Sequence, residues 1–195
     1  MDEYFEYRTS RTDSRFISFA GGALRFNEDA KEAGWNRDIE VEDTIGYRRL
    51  SMLTAFNMAV PGVPVIYYGD EIGMPGGGDP DNRRMMRFSD LSRNEKWVKE
   101  QTQKLVHLRR NSMSLMYGEY QLLRAEKDLL VFMRSYFNER TVVVLNKSNQ
   151  TQSIALSSVI RNKEKWQAHF GHELKEEAGK FYLELPPYTF EVLTK

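Results

Sequence analysis

The sequence predicts an α/β segment followed by an all-β sandwich, and three observations predict it. An apolar run, Val63 to Tyr68, lies between two helix-like stretches and passes into a Gly- and Asp-rich loop ending in two arginines. A continuous apolar run of this length suits a strand buried on both faces, as in parallel sheets. Near Gly118 the apolar period then changes from helical to alternating. Beyond it, short apolar segments recur between turn-forming pieces, the spacing expected of a sandwich or small barrel.

Residues 1 to 45 are charged and weakly periodic, with Phe16-Ile17-Ser18-Phe19-Ala20 the main apolar cluster, and read as a short strand end or turn followed by irregular loop. Gly46 to Val60 predicts a helix, because Tyr47, Leu50, Met52, Leu53, Ala55, Phe56, Met58, Ala59 and Val60 cover most of its circumference. Only a narrow polar stripe remains, formed by Arg48, Ser51 and Thr54, and Pro61-Gly62 ends the helix. Val63 to Tyr68 is the predicted strand and Gly69 to Asp90 the loop after it. In a strand, Tyr67 and Tyr68 would face opposite sides. Asn94 to Met113 predicts a second helix capped by Asn94, with Trp97, Val98, Leu105, Val106 and Leu108 inward and Lys99, Glu100, Lys104 and Arg109 in water.

Seven strands are predicted after the boundary: around Tyr120 to Arg124, Leu129 to Arg134, Thr141 to Leu145, Gln152 to Leu156, Trp166 to Phe170, Phe181 to Leu185 and Thr189 to Leu193. The turns between them include Glu126-Lys127-Asp128, Asn138-Glu139, Asn146 to Asn149 and Pro186-Pro187.

Composition narrows the function classes. The 28 basic and 28 acidic residues of the 195 cancel, which argues against nucleic acid or an anionic membrane as partner. No window approaches the roughly 20 apolar residues of a membrane span, and the acidic start Met1-Asp2-Glu3-Tyr4 has no signal-peptide pattern. A soluble chain is expected, with its compartment open. Zero cysteines exclude disulfides, thiolate metal sites and cysteine nucleophiles.

The stretch Gly62, Pro64, Tyr67 to Glu71, followed by Gly78-Asp79-Pro80-Asp81-Asn82-Arg83-Arg84, resembles the last barrel strand and following loop of the α-amylase family of glycoside hydrolases, in particular its neopullulanase and cyclomaltodextrinase-like branch. Upstream, Arg15-Phe16-Ile17-Ser18 and Ala20-Gly21-Gly22-Ala23 resemble the segment after the seventh barrel strand, and Glu119 to Lys195 the closing β-sandwich. The resemblance implies an α/β partial (β/α)8 barrel, its last units only (residues 1–117), followed by an all-β C-terminal sandwich (residues 118–195). A complete barrel takes about 250 residues. The chain is therefore expected to be the C-terminal part of a longer enzyme or a truncated product, with barrel edges through which copies could pair.

Retaining glycosidases place two carboxyl groups about 5–5.5 Å apart across the scissile bond. In the family resembled, the nucleophilic aspartate and acid/base glutamate lie on earlier strands than this sequence contains. The third carboxylate belongs to an Asn-His-Asp motif just before an Arg-Phe pair. Alignment on Arg15-Phe16 puts Ser10-Arg11-Thr12 there, and Asp13, one position on, reads as an exposed carboxylate. No catalytic residue is assigned, and hydrolysis by this chain alone is not expected.

The resemblance does imply a sugar contact, in which Asp79 and Arg83 line subsites on the nonreducing side of the cut and bind an α-glucan or maltooligosaccharide. The chemistry suits this, since a carboxylate accepts from hydroxyls and a guanidinium donates several directed bonds. The same pair could also pin the loop. Asp81 and Arg84 read as solvated or loop-organising residues, and Tyr68, Gly69 and Glu71 as structural elements beside the site.

No cofactor or metal is expected. The Gly76-Gly77-Gly78 run lacks the Gly-Lys-Ser/Thr of a phosphate loop. Asp79-Pro80-Asp81-Asn82 departs from a calcium loop at Arg83 and Arg84. His107, His169 and His172 supply too few ligands and read as exposed or capping residues. Two competing readings are a noncatalytic carbohydrate-binding module, with Trp166, Tyr182 or Tyr188 as a stacking surface, and a self-associating remnant protein.

Overall fold

A computed structural model describes residues 29–41, 43–162 and 165–195. The expectations placed on Asp13, on Arg15 to Ser18 and on Ala20 to Ala23 lie outside these residues. Two compact units divide the chain: residues up to 51 together with 65–103, and residues 52–64 together with 104–195.

The first unit holds helix α1 (Ala30–Asn36), where an irregular loop was expected. Asp29 is its N-cap, with Oδ1 accepting from the amides of Lys31 and Glu32 at 2.9 and 3.0 Å. Ala30 and Ala33, one turn apart, are buried with Ile39. The capping Asp29 and this short apolar stripe were the overlooked sequence signal. Helix α2 (Ile45–Ala59) begins in this unit, and its Tyr47 and Leu50 pack with Val98 and Val41. Its surface departs from expectation, because Ser51 is buried whereas Leu53 and Phe56 are exposed.

Residues 63–68 join neither β-sheet, so the predicted strand is not observed. A parallel strand exists only as part of a ladder, and no parallel neighbour occurs among the described residues. Val63 and Val65 are 90% and 74% exposed. With no pleat to alternate about, the Tyr67 and Tyr68 rings lie side by side, centroids 4.8 Å apart.

Helix α3 (Arg93–Arg110) starts one residue before the expected cap. Its cap is a reciprocal pair: the Ser92 amide donates to Glu95 Oε2 at 2.7 Å, and the Glu95 amide donates to Ser92 Oγ at 3.3 Å. This is the Ser-x-x-Glu capping box, which a cap at Asn94 overlooks. The buried positions Glu95, Val98, Thr102, Leu105 and Arg109 follow a 3-4-3-4 spacing. Arg109 therefore lies on the inward stripe, contrary to its expected place in water. A short helix, α4 (Met113–Tyr117), follows.

The second unit is built on two antiparallel sheets. Strands β1 (Glu119–Ala125), β2 (Leu129–Tyr136) and β3 (Glu139–Asn146), then β8 (Thr189–Thr194) and β5 (Gln167–Ala168), form a five-stranded sheet in the order β1-β2-β3-β8-β5. Strands β4 (Gln152–Ala155), β7 (Lys180–Leu185) and β6 (Leu174–Glu177) form a three-stranded sheet in the order β4-β7-β6. All seven expected strands are present. The eighth, β6, was missed because its sequence Leu-Lys-Glu-Glu buries only Leu174 and carries no alternation.

Two apolar layers cover the larger sheet. Between the sheets, Val131, Val142, Val144 and Leu193 meet Ile154, Leu174, Phe181, Leu183 and Leu185. On the other face, Phe132, Val143, Leu145, Phe190 and Val192 pack against Met52, Ala55, Met58 and Ala59 of α2, with Leu105 and Leu115. Strand β3 is central to both layers, and each residue from Thr141 to Asn146 is at most 4% exposed. Fully burying one of these Val or Leu side chains is worth roughly 1.5–3 kcal/mol.

Candidate functional site

The loop after residue 68 is organised from its glycines outward. Gly69 and Gly73 bracket a 3-10 turn (Asp70–Ile72) with φ of 93° and 67°. Glu71 closes this turn, its Oε2 accepting from the Gly69 amide at 2.7 Å. Tyr68 is 40% exposed at the loop's start. The Gly78 amide then donates to the Ala30 carbonyl at 2.8 Å, bringing the loop onto the first turn of α1. At Gly77 a Cβ would stand 2.6 Å from the Ala30 carbonyl oxygen, and at Gly34 2.6 Å from Asp81 Cβ. Only hydrogen fits at either position, so these glycines set how closely loop and helix approach.

A second 3-10 turn (Asp81–Arg83) arranges two acid–base pairs. The inner pair is bidentate, with Arg84 Nε donating to Asp81 Oδ1 at 2.6 Å and Nη2 to Oδ2 at 2.7 Å. Arg84 Nη1 also donates to the Ile39 carbonyl, while Asp81 Oδ2 accepts from the Gly77 amide. These two residues organise the loop rather than project into solvent. The outer pair joins Arg83 Nη2 to Asp79 Oδ1, one turn apart, with side chains 59% and 55% exposed. The Asp79–Pro80 peptide is cis. Inner and outer pairs thus differ in kind: one is tied to backbone on both sides, the other presents a carboxylate and a guanidinium to solvent. Such a pair can accept from and donate to hydroxyl groups together.

Among the described residues, no group of three or more His, Asp or Glu side chains is placed to hold a metal ion. No described helix is long and apolar enough to cross a membrane. The histidines in the sandwich are half-buried rather than exposed. His169 Nε2 lies 2.7 Å from Thr194 Oγ1, and burial lowers the pKa of both His169 and His172. The backbone of their turn is held by Glu191, fully buried, whose carboxylate accepts from the amides of His169, Phe170 and His172. Sequence reasoning missed this carboxylate because it sits between apolar neighbours in a strand. Of the three aromatic candidates in the sandwich, Trp166 packs against the inter-sheet core, Tyr188 occupies a turn with φ of 52°, and Tyr182 lies on β7 facing away from the core.

Two antiparallel sheets that share one apolar core define the class of the second unit, an all-β domain. Residues 118–193 match the α-amylase C-terminal domain. The chain is 33% identical over 147 residues to a cyclomaltodextrinase of Geobacillus thermopakistaniensis, covering 73% of this chain and 24% of that protein. It is 34% identical over 181 residues to neopullulanase 2 of Thermoactinomyces vulgaris, covering 87% and 31%. Among solved structures, the α-amylase of Geobacillus thermoleovorans in complex with acarbose superposes with a TM-score of 0.67 at 29% identity, covering 76% of this chain and 33% of that one. The chain carries an α-amylase C-terminal domain over residues 118–193 and matches the C-terminal region of these α-glucan-acting glycosidases. It spans about a quarter to a third of the length of these relatives.

Proposed function

We propose that this chain is the C-terminal portion of an α-glucan-acting glycosidase, comprising the last barrel units to residue 117 and a stabilising β-sandwich from residue 118. In the full enzyme the reaction is retaining hydrolysis or transfer of α-glucosidic bonds. This portion contributes no catalytic carboxylate pair and is inactive alone. Its part in the reaction is to hold glucose units through Asp79 and Arg83, with Tyr68, Gly69 and Glu71 shaping the loop's start. The observation that carries the reading is the exposed Asp79–Arg83 pair on a loop fixed from beneath by Asp81 and Arg84. The α-amylase solved with acarbose bound, 29% identical to this chain, supports a glucan-like ligand.

Titration calorimetry of maltotriose into the wild-type chain and an Arg83→Ala variant tests this. Saturable binding weakened in the variant is expected. Equal binding by both proteins would remove Arg83 from the site, and release of reducing sugar by the chain alone would overturn its inactivity. A second reading, association with complementary barrel segments or another copy, is favoured by Val63, Val65, Met85 and Phe88, which are 90%, 74%, 89% and 84% exposed. Sedimentation velocity tests it, and a monomer at high concentration argues against the second copy.

A further inference from the structure

Tyr47, in the first turn of α2, meets both ends of the loop that carries Asp79 and Arg83. At the loop's start Gly73 has a φ of 67°, and a Cβ there would stand 2.8 and 2.9 Å from Cε1 and Cδ1 of the Tyr47 ring. The ring therefore packs on bare backbone, at a position where no side chain fits. Ile72 and Met74, on either side of Gly73, are buried and hold the same turn from within.

At the loop's far end the Tyr47 hydroxyl hydrogen-bonds with the Ser92 side chain and lies in the field of Glu95 and Arg87. Glu95 is buried, and its two oxygens hold the chain in two places. Its Oε1 pairs with Arg87 Nη2, and its Oε2 accepts from the Ser92 amide at 2.7 Å. Burial, followed by the Glu95 charge, raises the Tyr47 pKa and keeps the hydroxyl neutral. All of these residues belong to the first unit.

Packing alone would be served by a phenylalanine, since Val41, Leu50 and Val98 are the apolar neighbours of Tyr47. The hydroxyl serves the end of the loop instead. Between the two attachments, the middle of the loop docks on α1 through the Gly78 amide and the Ala30 carbonyl. Fixing both ends reduces the conformations that this middle gives up on docking, and with them the ordering cost of binding a ligand.

We infer that Tyr47 is a positioning residue for the Asp79–Arg83 pair, its ring setting the start of the loop and its hydroxyl, with Ser92, Glu95 and Arg87, setting the end. The glucan as ligand rests on the function proposed above, whereas the clamp on the loop does not. Tyr47 acts through the backbone that carries the pair rather than by touching sugar.

Hydrogen exchange at the Gly78 amide and calorimetric titration of maltotriose test the inference in the wild-type chain, Tyr47→Phe, Arg87→Ala and Val98→Ala, with urea midpoints to follow global stability. Tyr47→Phe keeps the ring and leaves Ser92 Oγ accepting from the Glu95 amide. It is expected to speed Gly78 exchange about three- to tenfold and to raise Kd by a similar factor, at a midpoint close to that of wild type. Arg87→Ala should do the same, and the double variant should add little to either single one, because both release the same end. Val98→Ala thins the same apolar cluster without removing an attachment, so it should lower the midpoint more and leave Kd near the wild-type value. Wild-type exchange and affinity in Tyr47→Phe would overturn the inference, as would faster exchange at an unchanged Kd. A Val98→Ala protein that reproduced both effects would also overturn it, because lost stability would then suffice. Faster exchange in Tyr47→Phe with no binding by any protein, wild type included, would instead sink the glucan reading and leave the clamp standing.

Discussion

Arg109 and Arg134 converge on the C-terminal end of α2 from different elements, and their described partners are carbonyl oxygens. Arg109 donates to the carbonyls of Met58, Val60 and Gly62, and Arg134 to those of Ala59 and Gly118. They are 7% and 1% exposed. Burial lowers the pKa of both, and the nearby Arg109 charge lowers that of Arg134 further. The negative end of the helix dipole and its unsatisfied carbonyls make this site tolerable for two cations. Arg134→Met leaves buried carbonyls without donors and should cost about 2–4 kcal/mol, read as a lower urea midpoint. The Arg109→Met/Arg134→Met double variant should lose more than the sum of the single losses, because each single change already relieves the whole of the like-charge repulsion, which the double change relieves only once.

Buried Glu191 and half-buried Glu139 should give pH dependences of opposite sign. Burial dominates at Glu191 and raises its pKa against the opposing effect of its amide donors. Its stability contribution is complete below the ordinary glutamate value and is lost as pH rises through the raised one. At Glu139 burial also pushes upward, but hydrogen bonds from Ser112, Ser114 and the Met113 amide win and the pKa is lowered. That contribution is complete above the ordinary value and is lost as pH falls through the lowered one. Urea midpoints of wild type, Glu191→Gln and Glu139→Gln across the acid range should show the wild-type advantage over Glu191→Gln shrinking with rising pH. The advantage over Glu139→Gln should instead grow.

Gly77→Ala should separate loop architecture from sugar contact. The added methyl meets the Ala30 carbonyl oxygen, and the displacement should cost about 1–3 kcal/mol. Arg83→Ala, which removes an exposed ion pair, should change stability by less than about 1 kcal/mol. Under the proposed function both variants bind maltotriose more weakly, but only Gly77→Ala lowers the unfolding midpoint.

The sandwich was the most legible region because its strands carry their own evidence. Alternation and turn residues are local, so seven of the strands could be placed from sequence. Strand β6 could not, since its pairing with Lys180 to Leu183 is tertiary and its exposed Lys175, Glu176 and Glu177 resemble a loop. Arg109 and Arg134 were opaque for a related reason: an arginine satisfied by carbonyls far along the chain looks, in sequence, like any surface cation. Residues 63–68 erred the other way. Their apolar character was plain, but a parallel strand depends on neighbours that the described residues do not supply. In the loop, the Asp79–Arg83 spacing was readable, whereas the fit of Gly77 and Gly34 against their neighbours required the coordinates.

The packing of the C-terminal half of α2 on the larger sheet bears on how such a domain can be inherited. A segment excised at residue 118 would take every described strand but leave behind Met52, Ala55, Met58, Ala59 and Leu105, which cover Phe132, Val143 and Val192. The bared apolar face would have to be refilled by whatever protein received it. Recombination that moves this sandwich as a cassette therefore succeeds only when the host contributes helices of similar shape, or when the donor's own helical ends travel with it.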